Sequence, residues 1–195
     1  MLAKQAATRR AHGAANRVRI IGGQYRRRLL EFPDRDGLRP TPDRVRETLF
    51  NWLGQDLPGW NCLDLFAGSG ALGFEAASRG AVQVMLVERD AAASLALERN
   101  RQMLGASSVE IIRADAVAWL ACNRMAWNLI FLDPPFDSGL AAGILPELGG
   151  HLVPGGLVYV EQGAEIVVPA GFIMRKRGRA GRSHFALLEK EEATC

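Results

Sequence analysis

The sequence predicts a doubly wound α/β fold built around a mostly parallel sheet. From Asn61 onward, short apolar runs alternate with stretches of helical length and periodicity. Such runs are typical of strands that are covered on both faces of a sheet, and their alternation with helices implies parallel strands joined by crossovers. The chain has 195 residues and is 48% hydrophobic, which is enough for one such domain with its own core.

The chain is expected to have three parts. Residues 1–16 are predicted to be a basic arm, residues 17–53 an extension, and residues 54–195 the α/β domain. In the extension, strand-like runs at 18–21 and 24–32 flank Gly22-Gly23, which predicts a β-hairpin that turns at the two glycines.

A helix is predicted after the loop at 33–40. Thr41 can cap it, Pro42 suits its first turn, and Asp43 favours the positive end of the helix dipole. The helix is expected to run to about Leu53 and to bury one apolar face. That face consists of Val45, Leu49, Trp52 and Leu53.

The elements of the domain follow from its periodicity. Strands are predicted at Cys62–Phe66, Val82–Val87, Val109–Ile112, Leu129–Leu132 and Leu157–Val160. Helices are predicted at Ala71–Ser78, Ala91–Leu104, Ala116–Asn123 and Leu140–Leu148. The runs Phe172–Arg177 and Ser183–Leu188, on either side of residues 178–181, predict an antiparallel hairpin at the end of the sheet.

The charge distribution indicates a polyanionic partner. Net charge is only +3, yet residues 1–31 carry eight basic side chains against Glu31 alone. A second cluster, between Arg175 and Arg182, contains no acid. Solvated surface charge is the plain alternative, but two acid-free clusters favour a nucleic acid. The candidate contacts are Arg19, Tyr25, Arg26, Arg27, Arg28, Arg39, Arg175, Lys176 and Arg177.

Other classes of protein are disfavoured by composition. The cysteines and histidines are scattered without a CxxC pair, so no metal site is expected. No run approaches the roughly 20 apolar residues of a membrane span, and no apolar signal segment begins the chain. The odd cysteine count suits a reducing cytoplasm.

A glycine loop after the first domain strand predicts a cofactor site. The run Asp64 to Gly70 reads DLFAGSG, and Gly68, Gly70 and Gly73 formally match the dinucleotide pattern G-x-G-x-x-G. Asp64 would repel a pyrophosphate, whereas it would attract the sulfonium and ammonium of S-adenosylmethionine. The methyl donor is therefore the favoured cofactor, with a dinucleotide as the alternative.

Two further acids follow the next strands. Glu88 can accept hydrogen bonds from both ribose hydroxyls, and Asp115 can accept one from the adenine amino group. Each alone could be a helix cap or a solvated loop acid. Since parallel strands end at the same edge of a sheet, Asp64, Glu88 and Asp115 together favour a ligand site.

The fourth domain strand ends in Asp133-Pro134-Pro135-Phe136, which predicts the reaction site. A proline turn that stops a strand is the plain alternative. An exocyclic base amine is a weak nucleophile, and Asp133 with the Pro134 carbonyl could accept its two hydrogens and orient it. Phe136 could stack on the base, which must be flipped out of a paired or stacked structure.

These motifs resemble known families. DLFAGSG at 64–70, Glu88, Asp115 and DPPF at 133–136 resemble the class I Rossmann-like methyltransferases that modify amino nitrogens. Segments 19–25 and 38–52 are similar to the bacterial 16S ribosomal RNA guanine-N2 methyltransferases of the RsmD type, and this resemblance covers about residues 18–190. The chain departs from that family in a longer basic arm, and in Tyr25 where tryptophan is frequent.

The resemblance implies a seven-stranded sheet with an N-terminal hairpin. It also implies a guanine substrate in the small ribosomal subunit or its assembly intermediate rather than in naked RNA, and we expect a monomer. The donor residues that it implies are Asp64, Ala67, Gly68, Gly70, Glu88 and Asp115, and Asp133, Pro134, Pro135 and Phe136 would take the guanine.

Two other functions stay open at this point. A methyltransferase for DNA adenine or a protein glutamine is one, although those families more often have asparagine in place of Asp133 and tyrosine in place of Phe136. The chain also lacks a separate DNA-recognition domain. A non-catalytic RNA-binding assembly protein is the other, and the acids at successive strand ends speak against it.

Overall fold

The computed structural model describes residues 16–35, 40–136 and 138–191. The extension contains β1 (Asn16–Arg19), β2 (Leu29–Phe32) and α1 (Asp43–Leu53). The domain follows with β3 (Asn61–Asp64), α2 (Ala71–Ser78), β4 (Gln83–Val87), α3 (Ala91–Leu104), β5 (Val109–Ile112), α4 (Ala116–Cys122) and β6 (Trp127–Leu132). It ends with α5 (Leu140–Ile144), a 3₁₀ helix (Leu145–His151), β7 (Leu152–Gln162), β8 (Phe172–Ala180) and β9 (Ser183–Lys190).

Seven strands form one sheet in the order β5-β4-β3-β6-β7-β9-β8. Strands β3 to β7 are parallel, and β9 lies antiparallel between β7 and β8. The doubly wound sheet and its antiparallel end are therefore confirmed. The strand order reverses at β3, so the switch point, where ligands bind in such sheets, lies between the carboxyl ends of β3 and β6.

Each face of the sheet carries its own buried cluster, as expected for a three-layer architecture. One face packs on α1 and α2 through side chains that include Leu49, Phe50, Phe74, Phe131 and Tyr159. The other packs on α4, α5 and the 3₁₀ helix through side chains that include Leu63, Trp127, Ile130, Leu148 and Val160. Val18, Ile20 and Leu30 belong to the first cluster, so the extension shares the core of the domain.

The hairpin in the extension differs from the prediction. Its strands are short, and the backbone amides of Ile20 and Arg27 extend the pairing by donating to Arg28 O and Ile20 O, both at 2.9 Å. The turn therefore lies at residues 24–27, not at Gly22-Gly23. The glycine pair instead lies against the end of α2, where a Cβ on Gly23 would be 1.8 Å from the carbonyl oxygen of Ser78.

A buried carboxylate fixes the extension to the domain. Glu75 of α2 accepts hydrogen bonds from the backbone amides of Ile21 and Gly22 at 2.8 and 2.7 Å. It also pairs with Arg46 at 3.4 Å and with Arg79 at 2.9 Å, and all three side chains are buried. A buried charge is tolerated when it is paired and hydrogen-bonded in this way.

Several boundaries in the C-terminal half differ from the prediction. The helix expected at 140–148 changes to 3₁₀ geometry at Leu145, where Pro146 stands in the first turn. Strands β6 and β7 begin earlier than expected and pair through an irregularity between Trp127 and Leu129. Strand β8 continues through Gly178, because the missing side chain there leaves room for the ring of Phe185.

Candidate active site

A cavity of about 780 Å³ opens at the carboxyl ends of β3 to β6. Its volume lies within the range of roughly 300–1,000 Å³ that is common for ligand pockets. Five acidic side chains and two arginines line it, namely Asp34, Glu88, Asp90, Asp115, Asp133, Arg35 and Arg89. The excess of negative charge favours a cationic ligand and disfavours a pyrophosphate, so the residues present fit S-adenosylmethionine better than a dinucleotide.

The glycine loop leads from β3 into α2. Gly68 and Gly70 have φ values of 51° and 77°, in the left-handed region that glycine tolerates. Gly73 serves packing, since a Cβ there would lie 2.1 Å from Cδ2 of Leu86. Gly68 lines the cavity, whereas Ala67 and Gly70 are buried and joined to each other by a turn hydrogen bond of 2.6 Å.

Glu88 is half-buried at the cavity wall just after β4. Its Oε2 accepts a hydrogen bond from the backbone amide of Gly68 at 2.9 Å, and its Oε1 accepts one from that of Asp90 at 2.7 Å. These two bonds hold the side chain in place. Each carboxylate oxygen keeps a second lone pair, so Glu88 can still accept a hydrogen bond from a ligand.

Asp64 lies behind the glycine loop and is 2% exposed. Its Oδ2 accepts a hydrogen bond from the backbone amide of Gly73 at 3.2 Å. Burial raises the pKa of Asp64 to about 7, helped by the negative charge of Glu88 and opposed by the amides of Gly73 and Phe66. Asp64 can therefore act on a bound cation through its field rather than by contact.

Asp115 caps a helix and also lines the cavity. Its Oδ1 accepts hydrogen bonds from the backbone amides of Val117 and Ala118, both at 3.1 Å, and so caps α4. The residue is exposed and also lines the cavity. Because the two capping bonds end on one oxygen, the other is oriented by the cap for a further donor.

Asp133 lies across the switch point from the glycine loop, directly after β6. The hydroxyl of Thr41 donates to its Oδ2 at 3.0 Å. The predicted cap at Thr41 is wrong: Pro42 occupies the N-cap position of α1, with no side-chain capping bond. Thr41 therefore stands one residue ahead of the cap, buried at 6% exposure, and serves Asp133 instead.

The carboxyl group of Glu161, which is buried, lies beside that of Asp133, which is partly exposed. Leu132 pairs with Val160 in neighbouring parallel strands, so Asp133 and Glu161 follow at the next register position. Glu161 accepts hydrogen bonds from Tyr159 Oη at 2.6 Å and from Ser183 Oγ at 2.5 Å. Burial raises the pKa of Asp133 well above its ordinary value, and the charges of Glu161 and Asp64 add to this, while Thr41 lowers it.

Glu161 is not among the predicted site residues, although its position in the sequence carries a signal. It ends an apolar strand core at Val160, as Glu88 and Asp133 end theirs. The same reasoning from strand ends would have included it.

Phe136 projects from the reaction motif and is 41% exposed. The guanidinium carbon of Arg182, in the turn between β8 and β9, lies 5.8 Å from its ring centroid. Gly163 leaves room for the ring, because a Cβ there would lie 2.9 Å from Cε1 of Phe136. Pro134 is buried and Pro135 is exposed. The two prolines restrict the backbone that leads to Phe136, and all three residues line the cavity.

The candidate RNA contacts are placed unevenly. Arg26, Arg27 and Arg28 are exposed at the hairpin turn, and Lys176 and Arg177 are exposed on β8. Arg175 instead makes two bonds of 2.7 and 2.8 Å to Glu189 of β9, an acid that the linear cluster does not contain. Arg19 lies 3.8 Å from Asp43, Tyr25 packs partly on the core, and Arg39 is outside the described residues.

The described part of the chain contains neither a cluster of metal-ligating side chains nor a helix that could span a membrane. Within residues 16–35, 40–136 and 138–191, no three His, Cys, Asp or Glu side chains are grouped as metal ligands. In the same part of the chain, no helix has the length and apolarity needed to cross a membrane.

Comparison with known proteins relates most of the chain to one family. The family model described as "Conserved hypothetical protein 95" matches residues 18–189. The ribosomal RNA small subunit methyltransferase D of Escherichia coli K12 is 43% identical over 185 residues, which cover 92% of this chain and 93% of that protein. Its namesake from Haemophilus influenzae is 39% identical over 184 residues, with coverage of 90% and 95%.

Solved structures agree with these relatives. Escherichia coli yhhF has a TM-score of 0.82 and 43% identity, covering 90% of this chain and 99% of its own. An RNA methyltransferase from Salinibacter ruber, in complex with S-adenosyl-L-homocysteine, has a TM-score of 0.63 at 18% identity, which shows a shared fold.

Proposed function

The chain belongs to the RsmD family of ribosomal RNA methyltransferases, and from this premise we propose that it methylates the exocyclic N2 amino group of a guanine in 16S ribosomal RNA. The methyl donor is S-adenosylmethionine. The observation that carries the proposal is that Glu88 and the DPPF motif at 133–136 line one acidic cavity, on either side of the switch point.

The donor side of the cavity is held by main chain and carboxylates. Glu88, already fixed by two backbone amides, is suited to accept from ribose hydroxyls, and Asp115 from the adenine amino group. When bound, S-adenosylmethionine supplies a methyl group from its sulfonium, and the sulfur leaves as a neutral thioether. The reaction therefore asks the protein for orientation and charge stabilisation rather than for an acid catalyst.

The acceptor side orients the amine. Asp133 Oδ1 and the Pro134 carbonyl accept its two hydrogens, and Phe136 stacks on the base. A carbon–nitrogen bond forms as the carbon–sulfur bond breaks with its electron pair going to sulfur, and the methylated nitrogen then loses one proton. Because the pKa of Asp133 is raised well above its ordinary value, the ionised carboxylate is a better acceptor for that proton than an exposed aspartate.

The basic side chains supply affinity for the RNA backbone. Arg26 to Arg28 on the hairpin and Lys176 and Arg177 on β8 are exposed and can meet phosphates. We infer that the substrate is a small subunit or its assembly intermediate, in the cytoplasm. One chain builds both sides of the described cavity, which supports action as a monomer.

Nucleoside mass spectrometry of 16S ribosomal RNA tests this function. Cells without the gene should lack one N2-methylguanosine, and wild-type protein but not Asp133→Ala should restore it. The purified protein should transfer labelled methyl to undermethylated small subunits more readily than to free 16S RNA, and not to DNA. An unchanged nucleoside profile on deletion would contradict the proposal.

A further inference from the structure

We propose that Thr41 and Glu161 are positioning residues that set the orientation and charge state of Asp133 during methyl transfer, a role that rests on the proposed function. Thr41 approaches Asp133 from the segment before α1, and Glu161 from the neighbouring strand β7. Thr41 donates a hydrogen bond to Asp133, whereas Glu161 is a second carboxyl group. The two therefore shift the pKa of Asp133 in opposite directions.

Both the side chain and the backbone of Thr41 are hydrogen-bonded. Its hydroxyl donates to Asp133 Oδ2 at 3.0 Å, and its carbonyl oxygen accepts from Arg46 Nε at 3.1 Å. Arg46 is fully buried and pairs with Glu75, which also holds the N-terminal hairpin. A β-branched side chain with a fixed backbone has few rotamers. The hydroxyl therefore occupies Oδ2 and leaves Oδ1 of Asp133 for the amino group.

Glu161 is placed on the same side of the sheet as Asp133. Phe131 pairs with Tyr159 in the register of β6 and β7, and alternation puts Asp133 and Glu161 on the face that those two rings share. Neighbouring strands are about 4.8 Å apart, so the two carboxyl groups are near enough for the charge of Glu161 to act on Asp133. Tyr159 and Ser183 both donate to Glu161, and these two hydrogen bonds hold its carboxyl group in place beside Asp133.

The groups that act on Asp133 come from three elements. Strand β7 contributes Glu161, β3 contributes Asp64, and the segment before α1 contributes Thr41. Both carboxylates raise the pKa of Asp133, whereas the hydrogen bond from Thr41 lowers it. Without Thr41 the acceptor would be protonated over a wider pH range, and without Glu161 it would be a weaker base.

Opposite shifts in a pH profile distinguish this role from simple packing. Single-turnover methylation of small subunits should be measured against pH at saturating donor for Thr41→Val, Thr41→Ser and Glu161→Gln. In Thr41→Val, the acid limb of the rate should move to higher pH and the plateau should fall about tenfold or more. Thr41→Ser should restore both, and Glu161→Gln should move the acid limb to lower pH.

Donor affinity should stay at the wild-type value in all three variants, because neither residue lines the donor side. Tyr159→Phe gives a second approach to Glu161 if the glutamine variant does not fold. It removes one of the two donors that hold the carboxyl group of Glu161 beside Asp133, and should shift the acid limb in the same direction by less. Limbs that coincide with wild type, or that shift together in one direction, would overturn the proposal.

Asp133→Asn in the same assay distinguishes a failure of the positioning role from a failure of the proposed function. If it is slower than the wild type while Thr41→Val and Glu161→Gln follow the wild-type profile, the positioning role is wrong and the proposed function stands. If Asp133→Asn transfers methyl at the wild-type rate, the proposed reaction site is wrong, and the positioning role with it.

Discussion

Glu88 accepts a 2.9 Å hydrogen bond from the backbone amide of Gly68, so the carboxylate that faces the cavity also holds the glycine loop. Glu88→Ala should weaken binding of S-adenosylmethionine by one to two decades, since hydrogen bonds to charged groups contribute about 1.5–3 kcal/mol. Titration calorimetry measures this. Glu88→Gln keeps one acceptor oxygen, so its donor affinity should lie between those of the wild type and Glu88→Ala. Unchanged affinity in the alanine variant would remove Glu88 from the donor site.

The pKa of Asp64, raised to about 7 by burial, predicts a pH-dependent stability. The carboxyl group of an aspartate in the unfolded chain has a pKa of about 3.9. Between this pH and about pH 7, the folded protein therefore holds a proton that the unfolded chain has released. The free energy of unfolding should therefore fall as pH rises from about 4 to about 7. Asp64→Asn should lose this part of the slope in urea denaturation, and parallel slopes would contradict the assignment.

The same carboxyl group should couple donor binding to pH. A cationic donor favours the ionised form of Asp64, so donor affinity should rise with pH up to about 7, with release of a proton. Calorimetry in buffers of different ionisation enthalpy counts that proton. Asp64→Asn should release fewer protons, while equal release would mean that other groups respond to the donor.

The network of Glu75 should dominate the attachment of the extension. Arg46→Met leaves a buried carboxylate with one cation fewer, a change that costs about 3–5 kcal/mol when a buried pair is broken. Arg17→Ala removes an ion pair whose side chains are more than half exposed, and should change the free energy of unfolding by less than about 1 kcal/mol. Equal losses for the two variants in urea denaturation would argue against the network.

Much of the fold could be predicted because its signals are local. The bounds of α2, α3 and β5 coincide with the prediction, since each is marked by glycine, an N-capping aspartate or a compact apolar run. The order of strands and helices then determines the parallel sheet and its ligand-binding edge.

The errors arise where a distant partner competes with a local rule. Thr41 has the sequence context of a cap, but its hydroxyl is bound 92 residues away by Asp133. Gly22-Gly23 has the context of a turn, but α2 lies too close for any larger residue. Arg175 belongs to a linear basic cluster and is paired across the sheet with Glu189. None of these partners can be read from the neighbouring residues.

The ion pair of Arg175 with Glu189 also predicts that the basic residues differ in their effect on RNA affinity. Lys176→Ala and Arg177→Ala should each flatten the log–log dependence of affinity on salt by about 0.7–0.9, the value for one lost phosphate contact. Arg175→Ala should have a smaller effect, because Glu189 already neutralises its charge. The triple change of Arg26, Arg27 and Arg28 to alanine should flatten the slope by up to about two to three units. Filter binding at several salt concentrations measures the slopes, and equal effects at 175 and 177 would contradict the role of Glu189.

The final prediction concerns Asp133, which supplies the charged acceptor of the proposed reaction. Asp133→Ala should slow methyl transfer by about two decades or more, as expected when a transition-state hydrogen bond of about 2.7–4 kcal/mol is lost. Donor affinity should stay within a small factor, because the residue serves the acceptor base. Asp133→Asn keeps an acceptor oxygen but can neither ionise nor take the proton, so its rate should lie between alanine and wild type. Stability should not fall, since the pKa of Asp133 is raised and the charged form is disfavoured by folding. Single-turnover rates on small subunits at saturating donor decide the matter: a wild-type rate for Asp133→Ala would exclude the DPPF motif as the reaction site.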